Sequence, residues 1–337
     1  MSTPPDIVRA AYVDLVVTDL ARSRAWWVDL IGFHVEHEEP GALYLRGYEE
    51  FVHHSVTLRE GPQAACARMG FRVRTPEDID RAARYFDDIG CPTHRVPAGT
   101  TPGFGEAVRA VDPLGFTIEL VHEIEHAVPL VQRYDLRRGA SINRLDHINI
   151  ATPDVPIAFD YYTKLGFGLS ETIEDFDEHK LYAAWMFRKQ TVHDVAFTLG
   201  SGPMIHHIAF AVPESHNIFS LCDTIGALDL QASVIERGPG RHGVSNAFYL
   251  YMRDPDGHRV EIYTTDYFTG DPGHQPIRWD VHDERRRDFW GNAVIESWYK
   301  EATPVLDLDG SPQPVADALA DALLDESAVL VGADGLG

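Results

Sequence analysis

Cysteine is nearly absent from this chain: Cys66, Cys91 and Cys222 are the only three among 337 residues, and they lie far apart. That scarcity excludes a disulfide framework and a cysteine-based zinc knuckle, and leaves three core thiols. Positive charge is also short. Lys and Arg number 29 against 52 Asp and Glu, a formal net charge of -23 with no basic block to offset it. Nucleic acid and anionic membranes would be repelled, so a small molecule is the expected partner. No apolar run reaches membrane-spanning length, and the opening Met1-Ser-Thr-Pro-Pro-Asp6 lacks the basic start and apolar stretch of a secretory signal. A cytoplasmic location is the default expectation. What remains is an ordinary globular composition, 44% hydrophobic, long enough for two or more domains and a large core.

The chain repeats itself. Asp14-Leu-Val-Val-Thr-Asp19 leads into an apolar-periodic stretch ending at Gly32-Phe33, and His147-Ile-Asn-Ile-Ala-Thr-Pro-Asp154 leads into another ending at Gly166-Phe167. Each reads as a strand followed by an amphipathic helix, with Asp19 and Asp154 as N-caps and Gly32 and Gly166 as left-handed stops. A second phrase, Met69 to Glu77 against Ile208 to Glu214, precedes helices ending at Gly90 and Gly226. A third closes each half: Asp112-Pro-Leu-Gly115 before Glu119, and Asp254-Pro-Asp-Gly257 before Glu261. Asp-Pro-x-Gly is turn chemistry and the residues after it alternate as a strand. The economical architecture is α+β, four units of strand, helix and further strands in two similar domains. Residues 1–138 form the first domain and 139–270 the second, with a polar linker near Arg133 to Ser141. Residues 271–337 read as a C-terminal extension that covers the site or an interface, with a short helix near Val315 to Leu324.

The repeat singles out His147, His207 and Glu261, each in a strand-like segment of the second half. Two imidazoles and a carboxylate that leave coordination positions open suit a divalent iron binding oxygen and an organic substrate together. In the first half His147 falls on Tyr12 or Val13 and His207 on Arg68, while Glu119 stands opposite Glu261. Arginine stays protonated and cannot ligate a divalent metal, so the first half is expected to lack one. Strand alternation puts His206 on the opposite face from His207, and Asn149 on the same face as His147. Gly238, Gly240 and Gly243 spell GxGxxG, but a strand-like segment follows where a dinucleotide site needs a helix, so they read as a turn. Asp307-Leu-Asp-Gly310 opens like a calcium loop, yet Ala318 stands where the closing Glu is required.

Longer strings sharpen the identification: Arg144-Leu-Asp-His-Ile-Asn149, Ala183 through Asp194, His206-His-Ile-Ala-Phe210, Glu236-Arg-Gly-Pro-Gly-Arg-His-Gly through Tyr251, Glu261-Ile-Tyr263 and Trp279-Asp-Val-His-Asp283. Over nearly its whole length the sequence resembles the extradiol catechol dioxygenases of the vicinal oxygen chelate superfamily. The resemblance implies tandem βαβββ modules, four in two domains, and a metal held by His147, His207 and Glu261. Iron is the favoured ion, with manganese open because both accept this donor set. It implies His193 as the proton-transferring histidine, with Asn149 and Tyr251 near the bound oxygens. Arg237, His242 and Arg286 would receive an anionic substrate arm, Trp185 would form the pocket wall, and Asp266 would orient a ligand from behind. A catechol, dioxygen and a homotetrameric assembly complete what is implied. Other readings stay open: another catechol, an isomerase or a hydroxyphenylpyruvate oxygenase on the same scaffold, or a metal-free protein that binds an aromatic ligand.

Overall fold

Runs rich in Val, Ile and aromatic residues become strands throughout, and the first helix of each half begins at the carboxylate expected to cap it, Asp19 or Asp154. The computed structural model describes residues 2–318. Its first half contains β1 (Ile7–Val17), α1 (Leu20–Arg24, continued in wider turns over Ala25–Ile31), β2 (His34–Glu39), β3 (Ala42–Arg46), β4 (Val56–Glu60), β5 (Ala65–Val73), α2 (Glu77–Asp88), β6 (Thr93–Val96), β7 (Ala107–Val111) and β8 (Thr117–Val121). The second half repeats the series as β9 (Arg144–Thr152), α3 (Val155–Lys164), β10 (Gly168–Asp175), β11 (Lys180–Phe187), β12 (Val195–Leu199), β13 (Met204–Ala211), α4 (Ser215–Ala227), α5 (Gln231–Val234), β14 (Ile235–Arg241), β15 (Phe248–Arg253) and β16 (Arg259–Thr264). After it come β17 (Ile277–Asp280), α6 (Ser297–Lys300) and β18 (Thr303–Pro304).

One sheet runs β2-β3-β4-β1-β5-β8-β7-β6, and the other runs β14-β15-β16-β13-β9-β12-β11-β10-β17 with β18 beside β13. Apart from β17 and β18, the second order is the first read from the opposite end, as the duplicated sequence requires. The extension therefore borders the second sheet at two places, β17 along β10 and β18 along β13. A single apolar core crosses between the halves: Phe33 of the first stands edge-on to Phe210 of the second at 4.8 Å, and Phe71 to Phe167 at 6.2 Å. Among the described residues no helix is long and apolar enough to cross a membrane.

Local signals hold in most places. The Asp19 carboxylate accepts from the Arg22 N–H at 2.9 Å and Asp154 from that of Ile157 at 3.0 Å. Gly32, Gly90 and Gly166 are left-handed, with φ of 101°, 82° and 83°. Both Asp-Pro-x-Gly turns join adjacent strands, with Gly115 and Gly257 at φ of 89° and 87°. The three cysteines are free; burial pushes the Cys66 thiol up to about 12, which leaves it protonated and inert.

Three expectations are corrected, and a fourth lies mostly outside the described residues. Gly226 does not stop its helix, which runs to Ala227 and turns at left-handed Asp229 (φ 56°). The first helix does not stay α-helical: the Gly32 N–H reaches back to the Trp27 carbonyl at 3.2 Å, a five-residue turn. Gly238 and Gly240 lie within β14 rather than in a turn, beside an irregularity in its pairing with β15. A side chain on Gly240 would collide with Tyr249 and Asp288, so close packing explains that glycine. The helix expected near Val315 to Leu324 falls mostly outside the described residues; within them, Ala316 is extended and bridges Gly202.

Candidate metal centre and active site

Three neighbouring strands bring the triad together. β13 lies between β16 and β9, and its Ala209 pairs with Glu261 on one side and His147 on the other, while His207 pairs with Asn149. The nearest donor atoms of His147, His207 and Glu261 all lie within 4.8 Å of one another, and all three residues are buried. Each imidazole approaches Glu261 Oε2 through Nε2, His147 at 3.2 Å and His207 at 3.1 Å. Adjacent donors placed about 2.1 Å from one ion stand about 3 Å apart, so the spacing fits a single divalent metal. Burial opposes ionisation of Glu261, but contacts with both imidazoles hold its carboxyl far below the ordinary range. Burial lowers His207 to about 4, in the neutral form a metal requires. His147 is raised: burial works against its charged form, but the carboxylates of Asp146 and Glu261 outweigh it.

Behind the triad, Asp146 Oδ2 stands 3.0 Å from His147 Nδ1, the arrangement that orients a ligating imidazole and directs Nε2 forward. Sequence reasoning passed over Asp146, although a carboxylate beside a candidate ligand in Leu-Asp-His is a usable signal. Asp146 in turn lies 3.6 Å from Lys189 and 3.8 Å from Arg144.

The triad opens into a cavity of about 490 Å³ lined also by Asn149, Trp185, His193, Arg237, His242, Tyr251 and Arg286. All seven catalytic and substrate-binding candidates from sequence thus share one space with the triad. His193 is buried in the segment between β11 and β12, its ring centroid 3.7 Å from that of His147, and neither ring nitrogen has a protein partner. Burial, then the neighbouring His147 and Lys189, hold it well below its ordinary range, hence neutral. Asn149 Oδ1 is likewise buried and unpartnered. The Tyr251 hydroxyl lies 2.9 Å from His242 Nε2; burial and then Glu261 raise its pKa far above the usual value, so it is a hydrogen-bond donor.

One end of the cavity is cationic. Arg237 lies over the Trp298 ring at 4.5 Å and donates to the Arg287 carbonyl at 2.8 Å, leaving Nε unpartnered. Arg286 is only 5% exposed with Nε unpartnered, whereas Arg285 and Arg287 form ion pairs with Asp283 and Glu284. In the run Glu284-Arg-Arg-Arg-Asp288, therefore, the middle arginine turns inward and its neighbours take the surface ion pairs. Trp298, which sequence reasoning missed, lies in the extension where the strand pattern lapses and carries no local signal.

One placement differs from expectation. His206 does not turn to the opposite face. A register shift in β13 between Ile205 and His207 brings its Nδ1 to 2.7 Å from His207 Nδ1 and its Nε2 to 3.0 Å from the Trp298 carbonyl. It flanks the triad without joining the donor cluster. Asp266, read from sequence as acting from behind, lies outside the cavity lining and behind the His193 segment, with Oδ2 buried and unpartnered and its carboxyl raised by burial and then by Asp146.

In the first half the register settles which residue matches His147. Gly70 pairs with Tyr12 and Glu119 as Ala209 pairs with His147 and Glu261, so the equivalent is Tyr12. Its hydroxyl donates to Glu119, which also receives Arg109, while Arg68 pairs with Asp14. Hydroxyl and guanidinium groups thus satisfy the retained carboxylate. The Tyr12 ring fills the space a side chain on Gly70 would need.

Comparison with known proteins agrees with this geometry. The family model described as glyoxalase/bleomycin resistance protein/dioxygenase superfamily matches residues 9–120 and 144–262, one copy per half. A structure of homoprotocatechuate 2,3-dioxygenase from Arthrobacter globiformis is 57% identical with a TM-score of 0.91, covering 94% of this chain and 98% of that one. The same enzyme from Brevibacterium fuscum, in an anaerobic complex with 3,4-dihydroxyphenylacetate, is 55% identical with a TM-score of 0.91, covering 93% and 98%. A manganese-dependent 2,3-dihydroxybiphenyl 1,2-dioxygenase from Geobacillus genomosp. 3 is 26% identical over 85% of this chain and 94% of its own. Duplicated halves, a buried donor triad in the second of them and these likenesses lead to one conclusion: the chain belongs to the glyoxalase/bleomycin resistance protein/dioxygenase superfamily.

Proposed function

We propose that this chain is an extradiol ring-cleaving dioxygenase that opens 3,4-dihydroxyphenylacetate next to its diol, inserting both atoms of dioxygen to give 5-carboxymethyl-2-hydroxymuconate semialdehyde. The observation that carries the reading is one cavity with a two-His, one-carboxylate triad and a separate cationic end formed by Arg237, His242 and Arg286. A catechol with an acetate arm has the matching two ends.

In this reading His147, His207 and Glu261 hold Fe(II), with Mn(II) as the alternative ion. The metal supplies, when bound, the electronic link that lets a catecholate and dioxygen react despite their different spin states. The protein's own groups do the rest. Neutral His193 takes a proton arising from the catechol hydroxyls and returns it as the ring opens; its depressed pKa keeps it free to accept. Tyr251 donates to a substrate oxygen, and Asn149 holds oxygens beside the triad through its amide. Arg237 and Arg286 grip the carboxylate, with His242 beside them, and Trp185 forms the wall that fixes the ring. Asp266 acts from behind, on the segment bearing His193. The enzyme is read as a cytoplasmic homotetramer, which light scattering on the purified protein checks.

The test is oxygen uptake and formation of the yellow semialdehyde from 3,4-dihydroxyphenylacetate after reconstitution with ferrous or manganous ion. Protein loaded with metal that consumes no oxygen with any catechol overturns the proposal. A His147→Ala variant that keeps its metal and full turnover overturns the ligand assignment.

A further inference from the structure

His193 has no side-chain hydrogen bond within the protein, so its ring is placed by the backbone beneath it. Thr269 bonds to the Gln190 and Thr191 carbonyls hold that backbone within the second half, and the carboxylate of the next residue joins it to the first. Asp194 is fully buried, and its Oδ2 accepts from the Arg188 N–H at 2.6 Å and the Lys189 N–H at 2.9 Å, folding residues 188–194 into a closed loop. Its Oδ1 accepts from the Ala10 N–H at 2.8 Å, and Ala10 belongs to β1 of the half without the triad. Arg188 adds two bonds to the same strand region, Nε to the Ile7 carbonyl at 2.5 Å and a terminal nitrogen to Asp6 Oδ1 at 2.7 Å. Lys189 closes the other side: its ammonium donates to the His193 carbonyl and, at 2.7 Å, to the Asp146 carbonyl. The loop is thus tied to the first half at one side and, at the other, to the backbone of Asp146, whose carboxylate partners His147.

We infer that Asp194 is a positioning residue that holds the His193 loop against β1, so that the half without the triad sets the placement of the acid–base histidine beside it. This rests on the reading of His193 as the proton-transferring group. A group at a site of this kind must be held to within about half an ångström, and loops provide that only when their own hydrogen bonds fix them. A buried carboxylate accepting three backbone N–H groups does so here, and an amide in its place would present a donor to at least one of them.

The test uses the full, metal-loaded protein with Asp194→Asn and, because that variant removes a buried charge, Arg188→Met as a second that removes the side-chain bonds to Ile7 and Asp6 while leaving Asp194 and its bond to Ala10 intact. Hydrogen exchange read by mass spectrometry is expected to quicken in peptides covering 186–196 in both variants, and to stay as in the wild type in peptides carrying His207 and Glu261. Unchanged exchange in 186–196 overturns the inference, whatever the turnover. In kinetics, Asp194→Asn is expected to lower kcat more than tenfold with KM shifted less than threefold, and to add less than twofold in a His193→Gln background. Equal losses in both backgrounds mean that Asp194 acts independently of His193 and overturn it too. If the wild type opens no catechol while exchange responds as expected, the functional reading falls and the tie to β1 stands.

Discussion

Two neighbouring arginines with one chemistry take opposite roles. Arg286, buried in the cavity, is expected to raise KM for 3,4-dihydroxyphenylacetate about 10- to 100-fold when replaced by Ala, the loss of a charge-assisted hydrogen bond, with little change for unsubstituted catechol. Arg285→Ala should change neither, because Arg285 faces solvent and pairs with Asp283; steady-state kinetics on both substrates check this. Glu236 is the corresponding structural case. Burial works against its charge, but bonds from Arg259 and Arg253 and from Ser297 bring its carboxyl down to about 2. A depressed folded pKa contributes stability that is full above the unfolded value near 4.5 and is lost as pH falls toward 2. Glu236→Gln is therefore expected to be less stable by about 3 kcal/mol at pH 7, with the gap to the wild type closing between pH 5 and 2 in denaturant melts. At this scale His147, His207 and Glu261 were legible because the duplication supplied a comparison, whereas His206 was misread because a bulge has no signature in residue type.

At the scale of elements, helix stops divide into those set by chain conformation and those set by neighbours. Gly90 is left-handed with open space around it, so Gly90→Ala should cost about 1 kcal/mol from backbone strain alone. Gly32 shares the conformation, but a side chain there would run into the Arg138 carbonyl, so Gly32→Ala should cost clearly more; thermal melts of the two variants compare them directly. The wide turn leading into Gly32 carries Trp27, whose indole N–H donates to Asp254 at 3.1 Å in the turn before the Glu261 strand. Cap and stop residues are visible in sequence since they act on their own backbone. The five-residue turn is not, since the partner it serves lies 227 residues away.

For the whole molecule, duplication with one degenerate half predicts one metal per chain. Elemental analysis is expected to find one bound ion, and excess metal to add no second tight site, because Glu119 is already satisfied by Tyr12 and Arg109. Chelation should lower the melting temperature, since metal at a thousand times its Kd stabilises the folded form by about 4 kcal/mol. The extension adds one strand at an edge of the second sheet and another beside its interior strand β13, and supplies Trp298 and Arg286 to the cavity. It is part of the site, not an appendage.

The sequence by itself determined the duplication, the α+β class, the donor triad and the half that carries it, because periodicity, turn residues and ligand chemistry are properties of short segments. Tertiary structure alone decided that Tyr12 stands where His147 does, that Arg286 turns inward among three arginines, that His206 stays beside the triad, and that Asp194 ties the His193 loop to the other half. Each of these depends on strand register or on contacts between distant segments, and no local pattern of residues encodes them.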